Sequence, residues 1–259
     1  MAWMQSLNPP LRDWRGQSVW ILVASSGIGQ ATAAALHAQG ALVTVSARTA
    51  QALQAFVQAH PGSIAQVLDC SDAQAVAQVA QQCWPHGAPD MVLYCAGHYQ
   101  PMRAQAMDLD EMRRHWEINY QGALNVLHAL IPALRARGSG HISLVASVAG
   151  YRGLPNSLAY GPTKAAMINL AENLYLDLQA DGIAVSVVNP GFVQTSLTAK
   201  NSFSMPALIS PEQAAEAMLH GWACGQFEIH FPRRFTNWMK LLRLMPQRWY
   251  FYLVKKAMS

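Results

Sequence analysis

The chain has 259 residues and a mass of 28.3 kDa; 52% of its residues are hydrophobic, 12% are charged, and the formal net charge is +4. This composition provides enough apolar surface for one large core, and it excludes a disordered chain. Four cysteines without a C-x-x-C pair and nine dispersed histidines predict no metal site and no disulfide framework, and they favour a reducing, cytoplasmic compartment.

The N-terminal residues lack the basic and apolar regions of a signal peptide. Residues 16–47 carry no charged side chain, but serines and glycines interrupt this run, and its pattern changes from strand to helix and back. We therefore interpret residues 16–47 as part of a folded domain rather than as a membrane span.

In chain order, short apolar runs alternate with helical patterns. Strands are predicted over residues 18–24, 41–47, 64–68, 91–94, 141–147, 183–189 and 227–231. Helices are predicted over residues 27–39, 109–137 and 157–180. Three further helices are predicted: one follows strand two and ends at residue 59, one lies between strands three and four, and one begins at the N-cap Ser210. Strands that are apolar on both faces and are joined by helices predict an α/β fold, a doubly wound (Rossmann) seven-stranded parallel sheet with helices on both faces.

We expect residues 1–232 to form this domain and residues 233–259 to form a basic, amphipathic C-terminal extension. Ligands of such sheets bind beyond the carboxyl ends of the strands. The functional residues are therefore expected where strands one, four, five and six end.

The turn after strand one contains small residues that let main-chain N–H groups approach a phosphate at a helix N-terminus. These residues are Ser25, Ser26, Gly27, Ile28 and Gly29. The strict G-x-G-x-x-G pattern is absent, so a tight turn without a ligand explains this segment equally well.

Three further strand ends carry candidate cofactor residues. Arg48 follows strand two and suits a 2′-phosphate, whereas an acidic residue there would suit an unphosphorylated ribose. Asp69 closes strand three, where it would accept a hydrogen bond from an adenine amino group or cap the next helix. Cys95, Ala96 and Gly97 close strand four with small residues, as if a flat ligand crossed the backbone there.

The most specific pattern combines Ser147, Tyr160 and Lys164. Tyr160 and Lys164 are four residues apart at the start of a predicted helix, so both project from one face. A cation beside a phenol lowers the phenol pKa and makes it a usable acid or base. Ser147, just past strand five, is placed to donate a hydrogen bond to a carbonyl oxygen that gains charge.

Together these residues resemble the short-chain dehydrogenase/reductase family, in its classical size class, over roughly residues 17–231. The resemblance rests on the turn after strand one, the Ala96-Gly97 step, Asn119 in WEINYQG, Ser147, the segment YGPTK from Tyr160 to Lys164, and the segment PGFVQT from Pro190 to Thr195. Their order and spacing are those of the family.

The resemblance implies a catalytic tetrad. Tyr160 would be the general acid/base and Ser147 would orient the substrate oxygen. Lys164 would lower the pKa of the tyrosine and bind the nicotinamide ribose, and Asn119 would hold a water molecule that relays protons to the lysine.

The resemblance also implies a cofactor site and an oligomer. Arg48 would mark a preference for NADP(H) over NAD(H), Asp69 would lie near the adenine, and the family's usual assembly is a homodimer or a homotetramer. The nicotinamide pocket would be formed by Pro190, Gly191, Val193 and Thr195.

Two departures from the family's pattern affect cofactor binding. Leu22 and Val23 replace the threonine and the first glycine of the phosphate turn, and a valine disfavours a positive φ. Tyr94 and Cys95 replace two asparagines of the strand-four motif. Either the turn tolerates these changes or the affinity for the cofactor falls.

The segment between Thr195 and Pro211 is where the family places its substrate lid. It is apolar here, with Phe203, Met205 and Leu208. This composition suits a small hydrophobic carbonyl or alcohol substrate; core packing is the alternative explanation.

The tail is rich in cations and aromatic residues and contains no carboxylate. Trp238, Leu241, Leu242 and Met245 recur at helical spacing. The tail therefore fits peripheral contact with a membrane surface, or packing against its own domain or a partner subunit; nucleic acid is not expected. Its seven cations are Arg233, Arg234, Lys240, Arg243, Arg248, Lys255 and Lys256.

The sequence thus predicts an NADP(H)-dependent oxidoreductase that interconverts a hydrophobic, lipid-derived or similar ketone and a secondary alcohol. The alternative is a dinucleotide-binding scaffold protein of the same fold with weak or no turnover, which Val23 and Cys95 motivate.

Overall fold

The computed structural model describes residues 6–200 and 205–256. It contains a seven-stranded sheet in the order β3-β2-β1-β4-β5-β6-β7, in which every neighbouring pair is parallel. The predicted doubly wound parallel sheet is confirmed. Its strands are β1 (Ser18–Leu22), β2 (Leu42–Ala47), β3 (Ile64–Val67), β4 (Met91–Tyr94), β5 (Gly140–Val145), β6 (Ile183–Pro190) and β7 (Glu228–Phe231).

Helices cover both faces of the sheet, because its central strands carry apolar side chains on both faces and each face must be shielded from water. The helices of the domain are α1 (Gly27–Ala38), α2 (Ala50–Ala59), α3 (Ala73–Cys83), α4 (Leu109–Trp116), α5 (Gly122–Arg137), α6 (Tyr160–Leu178) and α7 (Pro211–Ala223). Helices α3, α5 and α6 contribute to one core cluster, and α1, α2 and α7 contribute to the other.

The structure differs from the predicted boundaries at points that matter for the site. β1 ends at Leu22 because the chain turns at Val23, whose φ is 65°. The helix predicted over 109–137 is interrupted by a π-helical turn, Glu117–Gln121, which changes the direction of its side chains. The start of α7 is as predicted, with a capping box between Ser210 and Gln213.

The tail forms α8 (Arg233–Leu244) and α9 (Gln247–Lys256), and both pack against the sheet domain. Arg152 donates hydrogen bonds to the carbonyls of Leu242, at 3.3 Å, and Met245, at 2.7 Å. Tyr250 donates to the carbonyl of Gly153 at 2.8 Å. Among the helices in residues 6–200 and 205–256, none is both long and apolar enough to cross a bilayer.

The apolar stripe predicted for the tail is not a single face. Leu242 is half-buried and packs against the core, whereas Trp238 and Leu241 are exposed. The packing face runs instead through Thr236 and Met239, which are buried. The sequence left open whether the tail packs on its own domain or meets a membrane, because helical spacing alone does not show which of two adjacent apolar stripes meets the domain.

Candidate active site

The turn after β1 has the geometry of a phosphate-binding loop. The main chain is left-handed at Val23, with φ of 65°, and at Gly27, with φ of 60°. A Cβ on Gly29 would collide with the carbonyl oxygen of Val23, so this position requires glycine. Within the described chain, the Ser26 side chain at the N-cap of α1 forms no capping hydrogen bond. The first N–H groups of α1 therefore suit an anion.

Two adjoining clefts gather the predicted cofactor residues, and both are lined by Val23, Ala96 and Gly97. One cleft also contains Ser26, Gly27, Ile28, Gly29, Cys95, Ser147, Tyr160, Lys164, Pro190, Gly191, Val193 and Thr195. The other contains Ser25, Arg48 and Asp69. Residues from seven separate segments thus meet at the carboxyl ends of the strands, where the fold places ligands.

Arg48 and Asp69 lie together in the second cleft. Asp69 accepts hydrogen bonds from the main chain and the hydroxyl of Ser71, at 3.0 and 2.7 Å. Burial alone would raise the pKa of Asp69, but these hydrogen bonds and the charge of Arg48 bring it below its usual value. The helix cap is provided by Asp72, which accepts from two N–H groups of α3, so the capping role considered for Asp69 was wrong.

Tyr160 lies on the wall between the first of these clefts, which also contains Ser147 and Lys164, and a separate apolar cavity. Burial raises the pKa of Tyr160 to about 12, and its hydrogen bond with Ser147 acts in the opposite direction. Its ring packs edge-on against Tyr99, with the ring centroids 5.1 Å apart. The phenol therefore keeps its proton at neutral pH and can act as a proton donor.

Lys164 is 2% exposed and its ammonium faces main-chain carbonyls. Its Nζ donates to Val145 at 2.9 Å and to Ala96 at 3.4 Å, and it lies 5.6 Å from the ring centroid of Tyr160. Burial lowers the pKa of Lys164 to about 8, although nearby Cys95 opposes this change. Burial of the phenol is the largest cause of the change in the pKa of Tyr160, and the lowering that we expected from Lys164 stays a prediction.

Asn119 lies in the π-helical turn and is fully buried. Its Oδ1 accepts from the N–H of His98 at 2.6 Å, and its Nδ2 donates to the carbonyl of His98 and to the hydroxyl of Thr163, each at 3.0 Å. These contacts fix the loop after β4 to the start of α6, one residue before Lys164. Asn119, the fourth member of the predicted tetrad, is thus held against the helix that carries Tyr160 and Lys164.

Tyr94 gives a physical reason for one departure from the family pattern. Its hydroxyl donates a 2.6 Å hydrogen bond to the carbonyl of Ile118, beside Asn119. A Cβ on Gly122 would collide with this hydroxyl. The phenol that replaces an amide therefore supports the turn that carries Asn119.

A cluster of His98, Glu111 and His115 corrects the prediction that the histidines are dispersed. His98 Nε2 forms a short hydrogen bond with a carboxylate oxygen of Glu111. His115 accepts from the N–H of Gln100 through Nε2, at 3.1 Å, so its Nδ1 carries the proton and donates to the carbonyl of Glu111 at 2.7 Å. Both ring nitrogens of His115 are thereby engaged. The sequence did not reveal this cluster because its members come from a loop and from a helix with ordinary i, i+4 spacing.

The apolar cavity beside Tyr160 has a volume of about 140 Å³. Residues of the predicted lid segment, Leu197 and Thr198, line it; Phe203 lies outside the described residues. Phe235 of α8 also lines the cavity, although no sequence pattern linked the tail to the substrate site. The remaining walls include Tyr99, Val148, Ala149, Leu154, Pro155 and Phe192.

Comparison with known proteins gives consistent matches. The chain matches the family model described as short chain dehydrogenase over residues 17–205. An "uncharacterized oxidoreductase" of Myxococcus xanthus (strain DK1622) is 32% identical over 228 residues, which cover 86% of this chain and 90% of that relative. An "uncharacterized oxidoreductase" of Staphylococcus aureus (strain MW2) is 30% identical over 76% of this chain and 87% of its own length.

Solved structures share the fold. A "short chain dehydrogenase/reductase family protein" has a TM-score of 0.77 and 26% identity, covering 84% of this chain and 96% of that chain. A short chain dehydrogenase from Burkholderia cenocepacia J2315, in complex with NADP, has a TM-score of 0.83 and 24% identity, covering 93% of this chain and 98% of that chain.

Proposed function

Because this chain belongs to the short-chain dehydrogenase family and is an oxidoreductase of that family, we propose that it interconverts a hydrophobic ketone and a secondary alcohol with NADP(H), using Tyr160 as the general acid and base. The observation that carries this proposal is the position of Tyr160. Its side chain lines both the cleft that gathers the predicted cofactor residues and the apolar cavity. A phenol on that wall would be within reach of the oxygen of a substrate bound in the cavity.

The cleft fits a dinucleotide. The required glycine at position 29 and the start of α1 form a cradle for a pyrophosphate. Arg48 lines the neighbouring cleft and supports NADP(H) over NAD(H), since a guanidinium binds a 2′-phosphate through two parallel hydrogen bonds. The structural relative in complex with NADP is consistent with this preference. When bound, the nicotinamide supplies or accepts the hydride.

The protein side of the reaction moves one proton and stabilises one charge. In the reducing direction, Ser147 donates a hydrogen bond to the substrate oxygen as that oxygen gains negative charge. Tyr160 then gives its proton to the oxygen, which becomes the alcohol hydroxyl, and the resulting phenolate lies near the ammonium of Lys164. In the oxidising direction the phenolate takes the proton back.

The substrate is proposed to be apolar at its carbonyl end. The cavity beside Tyr160 is lined mainly by aliphatic and aromatic side chains, including Leu154, Phe192 and Phe235. A charged metabolite would lose its hydration there without a compensating partner. Ketones with alkyl or aryl substituents are therefore favoured over sugars.

A scaffold role is the second candidate, and the observation that favours it is the left-handed main chain at Val23. If the strained turn abolished cofactor binding, titration with NADPH up to millimolar concentration would leave the protein fluorescence unchanged. Saturable quenching by NADPH, together with ketone-dependent oxidation of the bound NADPH, would exclude this role.

The proposed function is tested with a panel of ketones and secondary alcohols of increasing chain length, each assayed with NADPH or NADH, or with the oxidised forms. We expect turnover that increases with apolar chain length and that prefers NADPH. Higher rates on short, charged carbonyl compounds would contradict the proposed substrate class.

The homodimeric or homotetrameric assembly and the cytoplasmic location stay predictions. Light scattering coupled to size-exclusion chromatography tests the assembly.

A further inference from the structure

Helices α8 and α9 expose a set of large apolar side chains that no part of the described chain covers. In α8 these side chains follow one another at helical spacing, separate from the face that packs on the domain. We call this set the tail surface; each side chain in it is more than half exposed. Its members are Trp238, Leu241, Leu244, Trp249, Phe251 and Tyr252.

The tail surface is held in place by the domain. The guanidinium of Arg152 stacks on the ring of Tyr250, 4.0 Å from its centroid, and also binds the carbonyls of Leu242 and Met245. Tyr250 is 1% exposed. The exposed aromatic residues therefore project from helices whose inner faces are already packed, so further burial requires a partner outside the described residues of this chain.

The charge around the tail surface indicates what that partner is. Residues 233–259 contain seven cations and no carboxylate. Lys240 is neutralised by Glu228, with Nζ 2.6 Å from a carboxylate oxygen. Arg234, Arg248 and Lys255 are exposed on the same two helices. The tail surface thus combines apolar side chains with positive charge only.

We infer that the tail surface docks on an anionic lipid bilayer. Cations near anionic lipid bind favourably, and tryptophan and tyrosine prefer the interface between headgroups and acyl chains. A symmetric contact with a second copy would instead bring this cationic surface against itself, because a two-fold interface uses the same patch on both subunits. Charge complementarity therefore favours the lipid.

The helices lie along the bilayer rather than through it. α8 has 12 residues, so it is about 18 Å long, which is well below the thickness of the hydrocarbon core. Phe235 on the inner side of α8 lines the apolar cavity, so docking would bring that cavity close to the lipid. The docking itself does not rest on the proposed function, because it is measured without a substrate.

Co-sedimentation of the full-length protein with vesicles tests this inference. We expect the protein to pellet with phosphatidylcholine vesicles that contain about one-third phosphatidylserine, and to remain in the supernatant with pure phosphatidylcholine. The double variant Trp238→Ser/Trp249→Ser should lose at least tenfold in partitioning. Trp116→Ser, which removes a 46% exposed tryptophan from α4, should partition as the parent does.

Two further measurements separate the contributions. Arg234→Gln and Arg248→Gln should each reduce partitioning about fivefold, as expected for one cation near an anionic surface. Added salt should also reduce the partitioning of the parent, because it screens the attraction between the cations and the lipid. Equal recovery of the parent in the supernatant with both vesicle types would overturn the inference. A lower mass of the double tryptophan variant in light scattering, without any sedimentation of the parent, would also overturn it and assign the surface to a second copy.

Discussion

The ammonium of Lys164 donates a 2.9 Å hydrogen bond to the main-chain carbonyl of Val145, while its distance to the ring centroid of Tyr160 is 5.6 Å. The lysine is therefore anchored to the end of β5, with its ammonium close to the phenol ring. Its influence depends on whether it keeps its proton, and burial lowers the pKa of Lys164 to about 8.

This pKa predicts an alkaline limit for ketone reduction. Above pH 8 a growing fraction of Lys164 is neutral and no longer offsets the charge of the Tyr160 phenolate, while the phenol itself, with its pKa raised to about 12, still carries its proton. We expect kcat/KM for reduction, which reports the free enzyme, to fall above about pH 8. Lys164→Arg keeps its charge and should move this limit upward; an unchanged profile would show that another group titrates.

Arg48 is predicted to determine the cofactor preference. A hydrogen bond to a charged group contributes about 1.5–3 kcal/mol, so Arg48→Ala should weaken NADPH binding by about 10- to 100-fold. The affinity for NADH, which has no 2′-phosphate, should change little. Fluorescence titration of both cofactors measures this, and an equal loss for NADH and NADPH would mean that Arg48 acts on the fold of the cleft instead.

Val23 is predicted to strain the phosphate turn. A non-glycine residue in the left-handed region costs about 1–2 kcal/mol, and the φ of Val23 is 65°. Val23→Gly and Val23→Ala both remove the branched side chain, but only glycine removes the Cβ. We therefore expect the glycine variant to be about 1 kcal/mol more stable to urea than the alanine variant. Equal stability would indicate that this turn relaxes without cost.

Much of this site was accessible from the sequence, for definite physical reasons. Strands such as β1 and β6 are mostly apolar on both faces, so a doubly covered parallel sheet was the consistent arrangement. That sheet directs the strand ends to one edge, which is why Arg48, Ser147 and the segment from Pro190 to Thr195 meet in adjoining clefts.

The remaining features depend on contacts that no local pattern encodes. The hydrogen bond from Tyr94 to Ile118 joins β4 to a π-helical turn, and the stacking of Arg152 on Tyr250 joins residues 98 positions apart. The carbonyls that accept hydrogen bonds from Lys164 belong to the main chain, and the amino-acid sequence does not show which main-chain groups a side chain will contact. These contacts became visible only with the packed structure.

Tyr94 is predicted to support the turn that carries Asn119. Tyr94→Phe removes the hydroxyl that donates to the carbonyl of Ile118, and the loss of such a part-buried hydrogen bond costs about 0.5–1.5 kcal/mol. We expect the free energy of unfolding to fall by this amount in urea titration. Tyr175→Phe is the matched control, because its hydroxyl donates to Leu7 at an exposed site and its loss should cost less. Equal losses for the two variants would remove the special role of Tyr94.

In the proposed reaction, Tyr160 supplies the proton that accompanies hydride transfer. The decisive measurement is the rate of NADPH oxidation by Tyr160→Phe with the best ketone of the substrate panel, together with the affinity of the variant for NADPH. We expect kcat to fall about 10²- to 10⁴-fold, because a positioned general acid contributes that much, while NADPH binding stays close to that of the parent. A phenylalanine variant that reduces the ketone as fast as the parent would rule out this role of Tyr160.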